Sequence, residues 1–313
     1  MLDYKTTAFV FPGQGSQFVG MGRDLAQAST AARRTFEEAE EYLGFKLSRL
    51  CWEGPEAELN DTVNTQPALL TCSIAALRAL HEKLGEHAPA WAAGHSLGEI
   101  SALVAAGSLE FEDGVYLVRR RGEAMKAAGE HAPGGMAAIL ALDAPVLVEV
   151  CAEASAQTGG VVQVANDNCP GQVVISGDLA ALEKAMEIAK SRGARRALRL
   201  PVSIAAHSPL MQSAVEAFTS TVDGMPFIAP IPPVIGNVAV APLSDPNDIR
   251  VELPAQLTMP VRWTESVRYM LAHGVTTFVE LGPKDVLTAI LKRIDPNARG
   301  IAVGTPEAVQ ALE

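Results

Sequence analysis

The pentapeptide Gly94-His95-Ser96-Leu97-Gly98 constrains this chain more than any other stretch, because it joins two apolar segments of different character. Residues 91–94 have the length of a short buried strand, and residues 97–106 that of an apolar helix. A serine on a sharp strand-to-helix turn needs glycine two residues to either side, since a Cβ at those places would collide with the neighbouring chain. The turn lifts the Ser96 hydroxyl clear of a sheet, at the positive end of the following helix, where developing negative charge is stabilised. A plainer use of Ser96 is as a helix cap, and Ser96-x-x-Glu99 has capping-box spacing with Glu99 as its acid. Capping does not demand both glycines, so the nucleophile reading is preferred.

The rest of the chain supports an α/β fold. Of its 313 residues 48% are apolar, enough to build a substantial core. Residues 6–11 form a β-rich run that stops at Pro12 and Gly13, residues 31–42 have helical period, and residues 65–84 a longer one with Pro67 near the start, where proline is tolerated. From Gly134 the pattern becomes compact: strand 136–142, helix 144–156, strands 161–165 and 172–176, helix 179–192, strand 197–202. That order is βαββαβ, the ferredoxin-like sequence of elements, with a tight turn around Asn168 and Gly171 between its middle strands. It places an inserted small domain at residues 132–202, leaving residues 1–131 and 203–313 to form one discontinuous large domain. A helix over 210–222, another over 264–272 and a strand over 277–280 return to the α/β pattern of residues 1–131. Residues 224–244 are uncharged throughout yet carry Pro226, Pro230, Pro232, Pro233 and Pro242, too many lost donors for a membrane span, so they read as a loop leading into a short strand near 234–237.

Charge and cysteine usage narrow the setting. Lys plus Arg number 25 against 36 Asp plus Glu, a net charge of −11 that argues against nucleic acid or an anionic membrane as the main partner. An anionic ligand must then meet a local basic site. Cys51, Cys72, Cys151 and Cys169 are scattered without metal-binding spacing, which suggests neither a zinc site nor a disulfide framework and fits a reducing cytoplasm. The short apolar run after residues 1–5 ends in glycines and has no secretory signature.

A serine nucleophile needs a base, and six histidines are available. His81, His87, His131 and His273 fall in polar helix ends or a Gly-Pro loop. His95 adjoins the serine, but neighbours on such a turn diverge. His207, in the loop that follows the last strand of the small domain, can be presented at an interdomain cleft, so it is preferred with His95 as the alternative. The loop Phe-Pro-Gly-Gln-Gly-Ser-Gln, residues 11–17, is a polar turn at a strand end that can offer a donor to an oxyanion, beside the backbone N–H of Leu97. Arg119, Arg120 and Arg121 lie about 100° apart on a helix, so one can face inward, where a planar guanidinium suits a carboxylate.

Taken together, FPGQGSQ, QPALL, GHSLGE, RRRGEAM, ANDNCPGQVVISG, PVSIAAHSPLM, QLTMPVRW and ELGPKDVL occur in an order that resembles the malonyl-CoA:acyl-carrier-protein transacylases and the acyltransferase domains of fatty-acid and polyketide synthases. The resemblance runs from about residue 8 to residue 294. It implies an α/β-hydrolase-like large domain with a ferredoxin-like insert, and a ping-pong transfer of malonyl from CoA to the phosphopantetheine thiol of a carrier protein, with no cofactor and no metal. It matches Ser96 with the nucleophile, His207 with its base, Gln14 and the Leu97 amide with the oxyanion hole, and Arg121 with the arginine that binds the malonyl carboxylate. Gln256 matches a residue whose backbone carbonyl orients the histidine. Three positions depart from common family patterns: Ala206 before the histidine, Ile100 after GHSLGE, and Lys284 where a glycine is usual. The small Ala206 leaves room for a bulkier acyl group such as methylmalonyl. Rival readings are a thioester hydrolase using the same Ser96 and His207, an acyltransferase that loads polyketide carriers in trans, and a non-catalytic docking module.

A carrier of this kind is acidic, as is this chain, so docking calls for a positive patch. Lys190, Arg192, Arg195, Arg196 and Arg199 form the densest basic run, close in sequence to His207. A solvated helix end is the competing explanation.

Overall fold

A computed structural model describes residues 2–312; Met1 and Glu313, the outermost residues of the expected large domain, lie outside them. Its ten strands are β1 (Thr7–Phe11), β2 (Trp91–Gly94), β3 (Gly134–Leu140), β4 (Val162–Cys169), β5 (Gln172–Asp178), β6 (Arg196–Arg199), β7 (Val234–Ile235), β8 (Pro242–Leu243), β9 (Thr277–Leu281) and β10 (Arg299–Val303). They form two sheets with the orders β10-β9-β1-β2-β7-β8 and β4-β5-β3-β6.

The larger sheet is parallel apart from β8, which returns antiparallel against β7. Parallel strands reached by crossovers are covered on both faces, and β1 is accordingly buried at all five positions. Register then decides where chemistry can gather. Phe11 pairs with Gly94, Val10 with Glu280 and Ala93 with Ile235, so the segments that follow β1, β2, β7 and β9 emerge along one carboxyl edge. Helices Leu97–Ala105, Thr62–Leu84 and Val286–Ile294 pack on this sheet, and the long helix Phe111–His131 packs on Thr62–Leu84.

The smaller sheet is antiparallel, and its elements run β3, helix Ala144–Thr158, β4, β5, helix Leu179–Ser191, β6. Alternate residues serve two cores. Ala137, Ile139, Val173 and Ile175 pack with Leu147, Val150, Leu182 and Ala185 of its two helices, whereas Met136 and Val174 join the main core of the molecule. The β4–β5 turn is Pro170-Gly171, with Gly171 at φ +70°.

Several element edges differ from the sequence expectation. The helix expected at 65–84 begins at Thr62, where the Asp61 side chain accepts from the Val63 N–H, so Pro67 sits in its second turn and not at its start. Proline there leaves the Val63 carbonyl without its i+4 donor, and Arg119 Nη1 supplies one at 3.2 Å. The helices Pro246–Ala255 and Val286–Ile294 and the strand β10 have no counterpart in the elements expected from sequence. Residues 224–244 are loop apart from the two-residue strands β7 and β8. No helix among the described residues is long and apolar enough to cross a membrane.

Candidate active site

The elbow is built by close approach of backbone. A Cβ on Gly94 would fall on the Gly98 carbonyl group, one on Gly98 would fall on the Phe11 carbonyl oxygen, and one on Gly13 would fall on the His95 oxygen. The loop after β1 and the turn after β2 can therefore touch only because all three positions are glycine. Ser96 itself holds φ +52°, ψ −110°, a conformation that costs a non-glycine residue of order 1–3 kcal/mol and persists only where the surroundings impose it. His207 also has positive φ, +59°.

The Ser96 hydroxyl makes no cap hydrogen bond to the helix it precedes. Its Oγ lies 2.9 Å from His207 Nε2 and accepts from Arg121 Nη2 at 3.1 Å. The capping-box expectation for Glu99 is likewise corrected: the buried Glu99 Oε2 accepts from the Asn237 N–H at 2.8 Å. Burial, with Glu252 nearby, raises the Glu99 carboxyl well above the usual range.

His207 is 3% exposed, and its Nδ1–H donates to the Gln256 carbonyl at 2.7 Å, which leaves Nε2 as the unprotonated nitrogen facing the serine. Burial first, then the charge of Arg121, pushes the imidazole down to about 3, so it is neutral and able to take a proton. His95, the alternative base, has its Nε2 on Asn168 Oδ1 at 2.8 Å.

Of the three arginines, Arg120 is exposed and pairs with Glu123, Arg119 is half-buried, and Arg121 is 1% exposed. Arg121 Nη1 donates to Gln66 Oε1 at 2.9 Å and Nη2 to Gln256 Oε1 at 2.7 Å. All its partners are neutral, its Nε has none, and it makes no ion pair among the described residues. Desolvation lowers it to about 10, so it remains a cation. The backbone N–H of Leu97 opens its helix and has no intrahelical acceptor. Neither it nor the Gln14 N–H has a hydrogen-bond partner among the described residues, while Gln14 Oε1 accepts from Thr62 Oγ1 at 3.0 Å.

Comparisons with known proteins place the chain in a family. Residues 8–304 match the model of the acyl transferase domain family. The chain belongs to that family. It is 48% identical over 303 residues to the malonyl CoA-acyl carrier protein transacylase of Bacillus subtilis strain 168, covering 97% of this chain and 95% of that protein. It is 46% identical to the enzyme of the same name from Escherichia coli K12, with 97% of each chain covered. Among solved structures, an acyl carrier protein S-malonyltransferase from Vibrio cholerae superposes with a TM-score of 0.95 at 45% identity, over 99% and 100% of the two chains. A malonyl-transacylase in complex with a type II polyketide acyl-carrier protein superposes at 0.94 with 43% identity, over 98% of each.

Two contributors to this acyltransferase site were not singled out from sequence. Asn237, fully buried just beyond β7, accepts from the Ser96 N–H through Oδ1 at 2.7 Å and donates Nδ2 to the Gly94 carbonyl at 2.7 Å, pinning both limbs of the elbow. The Gln256 side chain joins its backbone in the site, donating Nε2 to the Ser96 carbonyl at 3.1 Å. A buried polar side chain at the carboxyl end of a central strand was the available signal for Asn237. The five basic residues proposed for docking are all exposed, but not all free: Arg192 pairs with Glu149 and Glu153, and Arg199 with Glu183. Lys190, Arg195 and Arg196 make no ion pair among the described residues. Arg196 and Arg199 sit on β6, an edge strand, where charge also blocks unwanted strand pairing.

Proposed function

We propose that this acyltransferase moves a malonyl group from CoA to the phosphopantetheine thiol of an acyl carrier protein through an ester on Ser96. The observation that carries the reading is Arg121: a buried guanidinium lacking a counter-ion, 3.1 Å from the Ser96 hydroxyl, is a receptor for an acyl group that ends in a carboxylate. His207 takes the proton of Ser96 as Oγ attacks the thioester carbonyl, and the oxyanion rests on the Leu97 N–H and the Gln14 loop. The proton passes to the CoA sulfur as the C–S bond breaks. The carrier thiol then attacks the ester, His207 takes its proton, and that proton returns to Oγ as the malonyl thioester leaves. Gln256 keeps the imidazole in the tautomer this shuttle requires, in place of an acidic third residue. Pinning the carboxylate on Arg121 fixes the carbonyl for the thiol. The chemistry needs no metal or cofactor, and both substrates are cytoplasmic in kind.

We assign residues 132–202 to an inserted small domain whose edge, with Lys190, Arg192, Arg195, Arg196 and Arg199, steers the acidic carrier, and residues 1–131 and 203–313 to the catalytic domain. The test is intact-protein mass spectrometry after separate mixing with malonyl-CoA, methylmalonyl-CoA and acetyl-CoA, with Ser96→Ala as control. A malonyl adduct on the wild type alone, discharged by holo carrier and slowly by water, is the expected result. Rapid release of CoA without an adduct would favour the hydrolase.

A further inference from the structure

The oxyanion loop and the buried arginine are joined by one line of hydrogen bonds. Arg121 Nη1 donates to Gln66 Oε1 at 2.9 Å, Gln66 Nε2 donates to Thr62 Oγ1 at 2.9 Å, and Thr62 Oγ1 donates to Gln14 Oε1 at 3.0 Å. The first two links have only one possible sense. A guanidinium has no acceptor, so Gln66 must turn its oxygen toward Arg121 and its amide toward Thr62. Thr62 thereby accepts one hydrogen bond and has a single proton left, which goes to Gln14. Arg121, Gln66 and Thr62 are all buried, so water does not compete for the first two links, and the third, to the exposed Gln14, is part-buried at its Thr62 end. Within the loop the buried Ser16 Oγ donates to the Gly13 carbonyl at 2.7 Å, whereas its other side-chain ties to distant segments are exposed: Gln17 Nε2 donates to Asn60 Oδ1, and Lys284 Nζ donates to the carbonyls of Gly15 and Gln17. Gly15, at φ +106° with open space where a side chain would stand, adds no packing to hold Gln14.

We propose that Thr62 is a positioning residue, which anchors the Gln14 side chain to the arginine-rooted network and so holds the loop's oxyanion donor beside Ser96. The inference rests on the reading of Gln14 as part of the oxyanion hole. Thr62 does not touch substrate. It acts through Gln14, and the hydroxyl is the part that matters.

The experiment is single-turnover acylation of Ser96 by labelled malonyl-CoA, followed by rapid quench, for Thr62→Val, Thr62→Ser, Gln14→Ala and the Thr62→Val/Gln14→Ala pair. Loss of an oxyanion donor outright costs about a hundredfold or more, and loss of its anchor alone should slow acylation about tenfold. Thr62→Val should show that loss in the maximal rate with half-saturation unchanged, and Thr62→Ser should recover most of it. In the Gln14→Ala background Thr62→Val should cost nothing further, because there is no side chain left to anchor. Equal losses in both backgrounds, or a normal rate for Thr62→Val beside a slow Gln14→Ala, would overturn the inference alone. A normal rate for Gln14→Ala would overturn the inference too, because alanine keeps the main-chain N–H and loses only the anchor, whereas a normal rate for folded Gln14→Pro, which lacks that N–H, would overturn the oxyanion reading beneath it. If thermal melting shows Thr62→Val unfolded, Thr62→Ala removes the same hydroxyl with a smaller side chain and is read in the same cycle.

Discussion

Replacing Arg121 with methionine removes the charge while filling most of the space of its stem, and the structure sets the size of the effect. Burial holds the guanidinium down to about 10, which at about 1.4 kcal/mol per pH unit is about 3 kcal/mol against the charged form. Gln66, Gln256 and Ser96 give it dipoles, and Glu99, which offsets part of the cost from a distance, makes no ion pair with it. A malonyl carboxylate supplies a counter-charge and matches the planar fork with two parallel hydrogen bonds. If it returns those 3 kcal/mol, the carboxylate accounts for about a hundredfold in kcat/KM. Acetyl has nothing to offer Arg121 and reaches the serine beside an unneutralised cation, so the variant should use acetyl-CoA as well as the wild type does, or better. Rapid-quench acylation with malonyl-CoA and acetyl-CoA on the same preparations gives both kcat/KM values. The expected outcome is an approximately hundredfold fall for malonyl alone, which collapses the preference. If malonyl and acetyl fell together and their ratio stayed put, Arg121 would be serving only to hold Ser96 and Gln256, and its role as carboxylate receptor would be refuted.

Because burial and Arg121 push His207 down to about 3, the acylation rate should stay level as pH falls through about 6.5, where an ordinary histidine protonates; a half-maximal rate near that value would contradict the geometry. The same measurement on Arg121→Met should show the acid limb moved to higher pH, since the cation that disfavours protonation is gone. Ser96→Gly should raise stability by about 1 kcal/mol over Ser96→Ala in urea melts, because glycine alone is at ease at φ +52°, and a lower midpoint for the glycine variant would remove the case for strain. Reversing charge at Arg195 and Arg196 should raise KM for the carrier but not for malonyl-CoA, and equal effects on both would discard the docking edge.

Features that sequence made legible are those whose cause is local. Gly94 and Gly98 announce a close approach wherever the contacting chain comes from, since only the missing Cβ matters. The alternation of Ala137, Ile139, Val173 and Ile175 against Met136 and Val174 exposes a sheet covered on both sides, which the βαββαβ order anticipates. The helix Pro246–Ala255 carried a readable start, Asp245 before Pro246 with Asp248 as the reciprocal cap, but the density of prolines nearby obscured it. It bears on the site because it ends at Gln256.

Partners joined over long stretches of chain left no local trace. Asn237 meets Ser96 across 141 residues and the Gln256 amide meets it across 160, and neither pairing alters the period or composition of its own segment. The three consecutive arginines show where the boundary falls. Their 100° spacing means that they cannot all point inward, and Arg121 is the one that shares its stripe with the buried Gly114, Val118, Met125 and Ala128. The carbonyl that Pro67 cannot bond draws Arg119 toward Val63, Arg120 is left to Glu123 at the surface, and Arg121 alone reaches Gln66, one residue before the proline. Arg119 lies about 200° round the helix from Arg121, so the carbonyl that Pro67 leaves free ties down a different face of that helix, beside the one that carries the site.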